Sequence, residues 1–259
     1  MNPPADRAAR CALAIMAKAP GAGRTKTRLS PLLSPHEATQ LGCCFLRDMT
    51  ANIALAGRSM AVDAYVAFAP AASEAAFDGF VEPGTGFVLA DGSIPAPGGV
   101  AGLGACLLQA MSSLFDRGYG AVGLLNSDSP SLPTARLIEA GRLLASPGER
   151  VVLGPAADGG YYLIGTKAPH AGLFRSIDWS TQRVAEQTKA RAADLGLAVV
   201  ELAPWYDVDD AASLRRLLQD LQGAARTGAA AYAAPATAHF LEANGIAERV
   251  AAKLADAGM

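Results

Sequence analysis

Cys11-Ala12-Leu13-Ala14-Ile15-Met16-Ala17-Lys18-Ala19-Pro20-Gly21-Ala22-Gly23-Arg24-Thr25-Lys26-Thr27-Arg28-Leu29 is the stretch on which the reading of this chain turns. Its apolar first part reads as a buried strand. Proline and glycine then break the strand, and four cationic side chains, Lys18, Arg24, Lys26 and Arg28, follow within eleven residues. Glycine lets a backbone turn tightly and approach a ligand, while lysine and arginine supply point-charge and forked contacts to phosphate oxygens. A Gly-rich basic loop after the first strand is what a nucleotide-binding α/β protein needs. A solvated basic turn is the plainer alternative, ranked lower because all these features fall between a strand and a helix start.

Two common phosphate loops do not fit. The P-loop pattern needs glycine immediately before its lysine, but Thr25 precedes Lys26. The dinucleotide fingerprint begins at Gly21 and Gly23 but meets Lys26 where a third glycine should pack helix on strand. A P-loop ATPase and an NAD enzyme are both disfavoured.

The 259 residues suffice for one large α/β domain or two small ones, and 51% hydrophobic against 18% charged residues allow a sizeable core. A net charge of −2 gives no broad field for nucleic acid or an anionic membrane. The basic loop is thus a local device. Cys11, Cys43, Cys44 and Cys106 lack zinc-type spacing and read as small buried hydrophobes in a reducing compartment. No stretch reads as a signal peptide or membrane span, so the expectation is a soluble, cytoplasmic protein.

Ser34-Pro35-His36-Glu37 is a capping-box start to a helix reaching Ala56, with Leu41, Phe45, Met49 and Ile53 on one buried face. Strands are expected at 60–68, 86–90, 121–125, 150–154, 161–165 and 197–202. Helices are expected at 103–115, 134–145, 181–195 and 211–222. This alternation predicts an α/β fold with a mostly parallel sheet covered on both faces. Residues 1–10 read as a tail, 11–222 as the nucleotide-binding domain, and 223–259 as an Ala/Gly-rich linker plus a helical extension.

Asp128 lies just past the end of the strand at 121–125, where open α/β sheets bind ligands. A carboxylate there suits Mg²⁺ or Mn²⁺ bridging phosphates. Helix capping is the alternative, but Thr134 is the more natural cap for the next helix. Asp207-Val208-Asp209-Asp210 offers a second acid: alternation puts Asp207 and Asp209 on one side, Asp210 starts the helix, and Asp209 is preferred as the ion's partner. Asp158-Gly159-Gly160-Tyr161 reads either as a hairpin turn or as a close-approach pocket beside an aromatic wall. Trp179-Ser180-Thr181 reads either as a helix cap or as an acceptor contact. No Ser/His/Asp or Cys/His arrangement is visible, so nucleophilic hydrolysis is disfavoured.

Taken in order, Lys18-Ala19-Pro20, Gly23, Lys26-Thr27-Arg28-Leu29, Ser127-Asp128-Ser129-Pro130, Gly154-Pro155, Asp158-Gly159-Gly160-Tyr161-Tyr162, Trp179-Ser180-Thr181 and Asp207-Val208-Asp209 resemble the DUF2064 family. The resemblance implies a GT-A, Rossmann-like fold labelled glycosyltransferase or nucleotide-diphospho-sugar transferase, similar to guanylyltransferases of molybdenum-cofactor and coenzyme F420 synthesis. It implies a nucleotide held by Lys18, Pro20, Gly21, Gly23, Arg24, Lys26, Arg28 and Ser127. Lys26 and Asp128 would be catalytic, with Mg²⁺ or Mn²⁺ on Asp128 and Asp209. A small-molecule acceptor would meet Asp158, Gly159, Gly160, Tyr161, Trp179, Ser180 and Thr181. The family's Gln…Asp-Leu-Gly-x-Arg segment departs here to Gly102-Leu103-Gly104-Ala105-Cys106, which keeps the glycine and loses the acid and the arginine. The expected activity is metal-dependent transfer from a nucleotide donor, either glycosyl from a nucleotide sugar or nucleotidyl from an NTP. A non-catalytic nucleotide-binding module is the alternative.

Overall fold

Strand β1 (Cys11–Lys18) divides its side chains between two cores, as period-two alternation requires. Leu13 and Ile15 enter one core, while Ala12 and Ala14 enter the other. The computed structural model describes residues 7–21, 26–29, 32–223 and 231–256. Thr25, Gly23 and Arg24 of the first loop lie outside the described residues, as does most of the Ala/Gly-rich linker.

Around β1 stand β2 (Val62–Ala69), β3 (Gly86–Leu89), β4 (Ala121–Leu125), β5 (Arg150–Pro155), β6 (Tyr161–Thr166) and β7 (Ala198–Glu201). They form one sheet in the order β3-β2-β1-β4-β6-β5-β7. All neighbours are parallel except β6, which runs antiparallel to both β4 and β5. The turn from Pro155 to Tyr161 is too short for a crossover, so reversal is forced, and Gly159 supplies the left-handed residue (φ 89°). The chain works outward from β1 to β3, then restarts on the other side at β4. That reversal leaves a crevice at the carboxyl ends of β1 and β4, where an open α/β sheet receives its ligand.

Helices cover both faces. Helices α1 (Pro35–Ala56) and α3 (Thr134–Ala145) pack over the first core, and α2 (Leu103–Asp116) and α4 (Val184–Asp194) over the second. No helix of the described residues is long and apolar enough to cross a membrane. The Ser34–Glu37 capping box is present at the start of α1, and Leu41, Phe45, Met49 and Ile53 are buried as expected. Helix α4 starts three residues later than its periodicity suggested. Ser180 takes a left-handed φ of 63°, and the Thr181 hydroxyl donates to Asp178 O while accepting from Arg183 N. The expectation that Thr134 caps α3 is corrected. Pro133 holds the cap position, and Thr134 Oγ1 instead donates to Asn52 Oδ1 of α1 at 2.6 Å.

Helix α5 (Ala211–Leu221) is capped by Asp210, whose side chain accepts from Ser213 N. Helices α6 (Pro235–Ala243) and α7 (Ile246–Asp256) return to the first core through Leu241, Ile246 and Val250. The buried Asp48 carboxylate of α1 accepts from Ala236 N and Thr237 N, satisfying amides at the start of α6. Arg249 of α7 bonds Glu37 at 2.6 Å and Leu32 O at 3.1 Å. The Arg249 bond, with the capping amide of Ser34 second, lowers the Glu37 carboxyl to about 2. A depressed carboxyl stabilises the fold above its unfolded pKa, and the contribution fades as pH falls toward the folded value. Glu37→Gln should therefore lower the melting temperature at pH 7, with the gap to wild type closing as pH falls from about 4.5 to about 2. Paired melting curves across that range check it.

Candidate functional site

Three chain segments converge on one ammonium at the switch-point crevice. Lys26, at the end of the first loop, donates from Nζ to Asp128 Oδ1 at 2.7 Å and to Val208 O at 2.7 Å. Asp209 Oδ1 lies 3.8 Å away, and the Phe45 ring of α1 lies beneath, 4.8 Å from Nζ to its centroid. The Lys26 side chain is only 4% exposed, although Asp128 and Asp209 remain 36% and 42% exposed. One face of each carboxylate is thus left for a ligand.

Backbone geometry brings the two acidic segments together. After β7 the chain passes beside the loop following β4, and Val208 N donates to Asp128 O at 2.8 Å. Ser129 Oγ donates to Tyr206 O and to Asp207 Oδ1, and Asn126 Nδ2 donates to the same Asp207 oxygen. Asp207 and Asp209 therefore lie on one side, as alternation required, but with different duties. Asp207 is the more deeply held, and its carboxyl is pushed up to about 6. Burial is the main cause; the bond from Ser129 opposes it, and Asp128 adds repulsion. The Asp209 carboxyl is also raised, by burial and then by Asp128, against the pull of Lys26 and Arg28.

Two hollows meet at this point. The larger, about 650 Å³, is lined by Lys26, Arg28, Asp128, Asp207 and Asp209 on one side. On its other side stand Asp158, Gly160, Tyr161, Trp179, Ser180 and Thr181. The smaller, about 310 Å³, lies between the first loop and α1 and is reached by Lys18, Pro20 and Ser127. Lys26, Asp128 and Asp209 belong to both. Lys18, Pro20, Lys26 and Arg28 of the first loop and the lining residues between 158 and 181 thus stand on either side of the carboxylates, whereas Gly21 lines neither hollow.

Some of the expected residues serve the scaffold. Gly159 lines neither hollow: a Cβ there would lie 2.2 Å from Gln182 O, and its own carbonyl accepts from Ala185 N. The Tyr161 ring walls the larger hollow while burial raises the pKa of its phenol. Asp158 Oδ1 accepts from Gly160 N, which holds the carboxylate at the turn. In the departed segment, Gly104 leaves room for Trp179, since a Cβ there would meet the indole at 3.0 Å. Leu103, 48% exposed, stands in the hollow beside that ring. Leu103, Gln182, Val184 and Asp207 were not singled out as site residues. Only Asp207 carried a signal, its alternation with Asp209.

Among the described residues no group of three His, Cys, Asp or Glu is arranged to hold a metal ion. Even so, Asp128, Asp209 and the Val208 carbonyl already receive a cation, the Lys26 ammonium. Hard oxygen donors of this kind suit Mg²⁺ or Mn²⁺, which need only one or two protein carboxylates when phosphate and water complete the shell. The donor set therefore fits such an ion.

The sheet order, the crevice between β1 and β4, and the hollows that meet there define a Rossmann-like fold of the nucleotide-diphospho-sugar transferase class. Residues 52–181, just over half of the chain, match the family described as "Uncharacterized protein conserved in bacteria (DUF2064)", and the chain belongs to it. A protein from Desulfovibrio desulfuricans G20, described as a candidate nucleotide-diphospho-sugar transferase, is 26% identical. Its structure superposes with a TM-score of 0.75, covering 93% of this chain and 97% of that one. CMP:2-keto-3-deoxy-manno-octonic acid synthetase, determined with CTP, is 15% identical with a TM-score of 0.49, covering 80% and 96%. Rv0371c from Mycobacterium tuberculosis H37Rv is 19% identical with a TM-score of 0.45, covering 81% and 97%. Neither of these last two bears on the chemistry of this chain. No curated protein matches it.

Gly159→Ala should destabilise the protein by more than about 1 kcal/mol, because both its φ and its contact with Gln182 exclude a side chain. Thermal denaturation checks this.

Proposed function

We propose that this protein is a nucleotide-using transferase, and that it moves a glycosyl group from a nucleotide-diphospho-sugar to a hydroxyl acceptor. The observation that carries this reading is the meeting of two hollows at Lys26, Asp128 and Asp209, with a further carboxylate, Asp158, held by Gly160 N across the larger one. The Desulfovibrio relative, alike over nearly its whole length, supports the donor class.

In this reading Lys18, Lys26 and Arg28 face the diphosphate, and Ser127 orders the donor edge of the site. Asp128 and Asp209 would hold Mg²⁺ or Mn²⁺, which when bound supplies positive charge against the departing diphosphate. The acceptor oxygen forms a bond to the anomeric carbon as the bond from that carbon to the phosphate oxygen breaks. The electron pair leaves with the nucleoside diphosphate, and Asp158 takes the hydroxyl proton. Trp179 and Tyr161 present rings to the acceptor and limit water around the reacting carbon. Lys26 and Arg28 also favour a second reading, nucleotidyl transfer from an NTP. There an acceptor oxygen bonds the α-phosphorus and pyrophosphate leaves.

Products separate the readings. Incubation with a panel of nucleotide sugars and NTPs plus Mg²⁺ or Mn²⁺, followed by mass spectrometry, should yield nucleoside diphosphate and a glycosylated acceptor. Pyrophosphate release would select nucleotidyl transfer, and neither product would leave a binding module. Asp158→Asn should lower kcat by about 10²–10⁴-fold, as expected for loss of a general base, with nucleotide affinity little changed. Asp128→Asn should lower kcat/KM by about 10²–10³-fold, the scale of losing one preorganised electrostatic contact.

A further inference from the structure

Lys26 occupies the oxygen cage that the proposed divalent ion would use. Its Nζ lies 2.7 Å from Asp128 Oδ1, 2.7 Å from Val208 O and 3.8 Å from Asp209 Oδ1. An ammonium has three donors and no acceptor, so it fills such a cage as a small cation does. A second cation on the same carboxylates would face the ammonium at close range, where like charges repel. Lys26 also borders both hollows, so its side chain has open space on either side of the cage. It sits at φ 52°, a left-handed conformation that disfavours a residue with a side chain, and its long stem ends the Gly-rich loop. What would draw it away is an anion with oxygens to replace those it gives up, and a phosphate chain is such an anion.

We propose that Lys26 is a resident counter-cation which makes divalent-ion binding and phosphate-chain binding depend on each other. The site then takes a metal-chelated oligophosphate in preference to the free metal ion. The inference rests on the placement of the ion at Asp128 and Asp209 in the proposed function. It assigns Lys26 two partners in turn: the carboxylates without substrate and the phosphate chain with it. Coupling of this kind is reciprocal, and factors of about 5–150 are usual.

The test reads binding and needs no turnover. Mn²⁺ affinity is measured by the electron paramagnetic resonance signal of free Mn²⁺, for wild type, Lys26→Met and Lys26→Met/Asp128→Asn, with circular dichroism confirming each fold. Methionine keeps the length over Phe45 and removes the charge. Lys26→Met should bind Mn²⁺ about tenfold tighter than wild type, the scale of a typical coupling. The double variant should lose that gain. Equal or weaker binding by Lys26→Met would overturn the counter-cation role while leaving the metal site intact. Absence of Mn²⁺ binding in all three would overturn both this inference and the metal part of the proposed function. As a second measurement, Mn²⁺ and inorganic tripolyphosphate together should raise the melting temperature of wild type by more than the sum of their separate shifts. That excess should vanish in Lys26→Met. A merely additive response in wild type would overturn the proposal.

Discussion

One ammonium joins three parts of the chain that are remote in sequence: the first loop, the turn after β4 and the segment after β7. Lys26, Asp128 and Val208 meet at 2.7 Å contacts, and the neighbouring bond from Val208 N to Asp128 O sews the last two together. A buried lysine without oxygen partners would carry a desolvation cost of several kcal/mol. The acidic segments must therefore approach the loop, and the crevice at the sheet's carboxyl edge acquires its charge by the same contact that closes it. Stability and the proposed function would share this interaction.

Helix α1 makes the arrangement rigid. Its apolar stripe packs on β1 and β2, and its buried polar residues reach outward. Asn52 donates to Leu132 O and accepts from Thr134, which fixes the segment following Asp128. Asp48 receives the first amides of α6, and Glu37 receives Arg249 of α7. Phe45 underlies the Lys26 ammonium, a cation–π contact of about 2 kcal/mol when desolvated. The C-terminal helices thus hold α1 on the face away from the ligand crevice, while α1 in turn supports Lys26.

The strand at Cys11–Lys18 and the capped helix at Pro35–Ala56 were legible from local signals, an apolar run and a capping box. The place of Asp128 at the crevice was legible because it followed a buried strand, and it lines both hollows. The cap assigned to Thr134 was wrong for a nonlocal reason. Its hydroxyl finds Asn52, 82 residues earlier, and no local pattern encodes that meeting. The same limit separates Asp207 from Asp209. Alternation placed them on one side, but only the approach of Asn126 and Ser129, about eighty residues away, makes Asp207 the braced member. The Asp-Gly turn signalled the hairpin of β5 and β6, whereas the insertion of β6 between β4 and β5 depends on sheet packing.

The larger hollow sets four carboxylates, Asp128, Asp158, Asp207 and Asp209, against two cations, Lys26 and Arg28. Burial lifts Asp207 to about 6, and repulsion from Asp128, Asp158 and Asp209 adds to it. A bare oligophosphate entering such a hollow would meet repulsion from the acids before it reached the cations. Accompanied by a divalent ion, it would bring the missing positive charge with it, and Lys26 could exchange carboxylate for phosphate at no loss of partners. The opposite wall has the other character: Trp179, Leu103 and Tyr161 offer apolar surface, and the acid and arginine expected near Gly102–Cys106 are replaced by residues that cannot bind charge. The hollow is thus unevenly charged, with both cations and three of the carboxylates on the side of Lys26, and the rings with the single carboxylate Asp158 on the side of Trp179. Under the proposed function, a donor would be held by its phosphates on the first side and an acceptor would lie against the rings, within reach of Asp158, on the second.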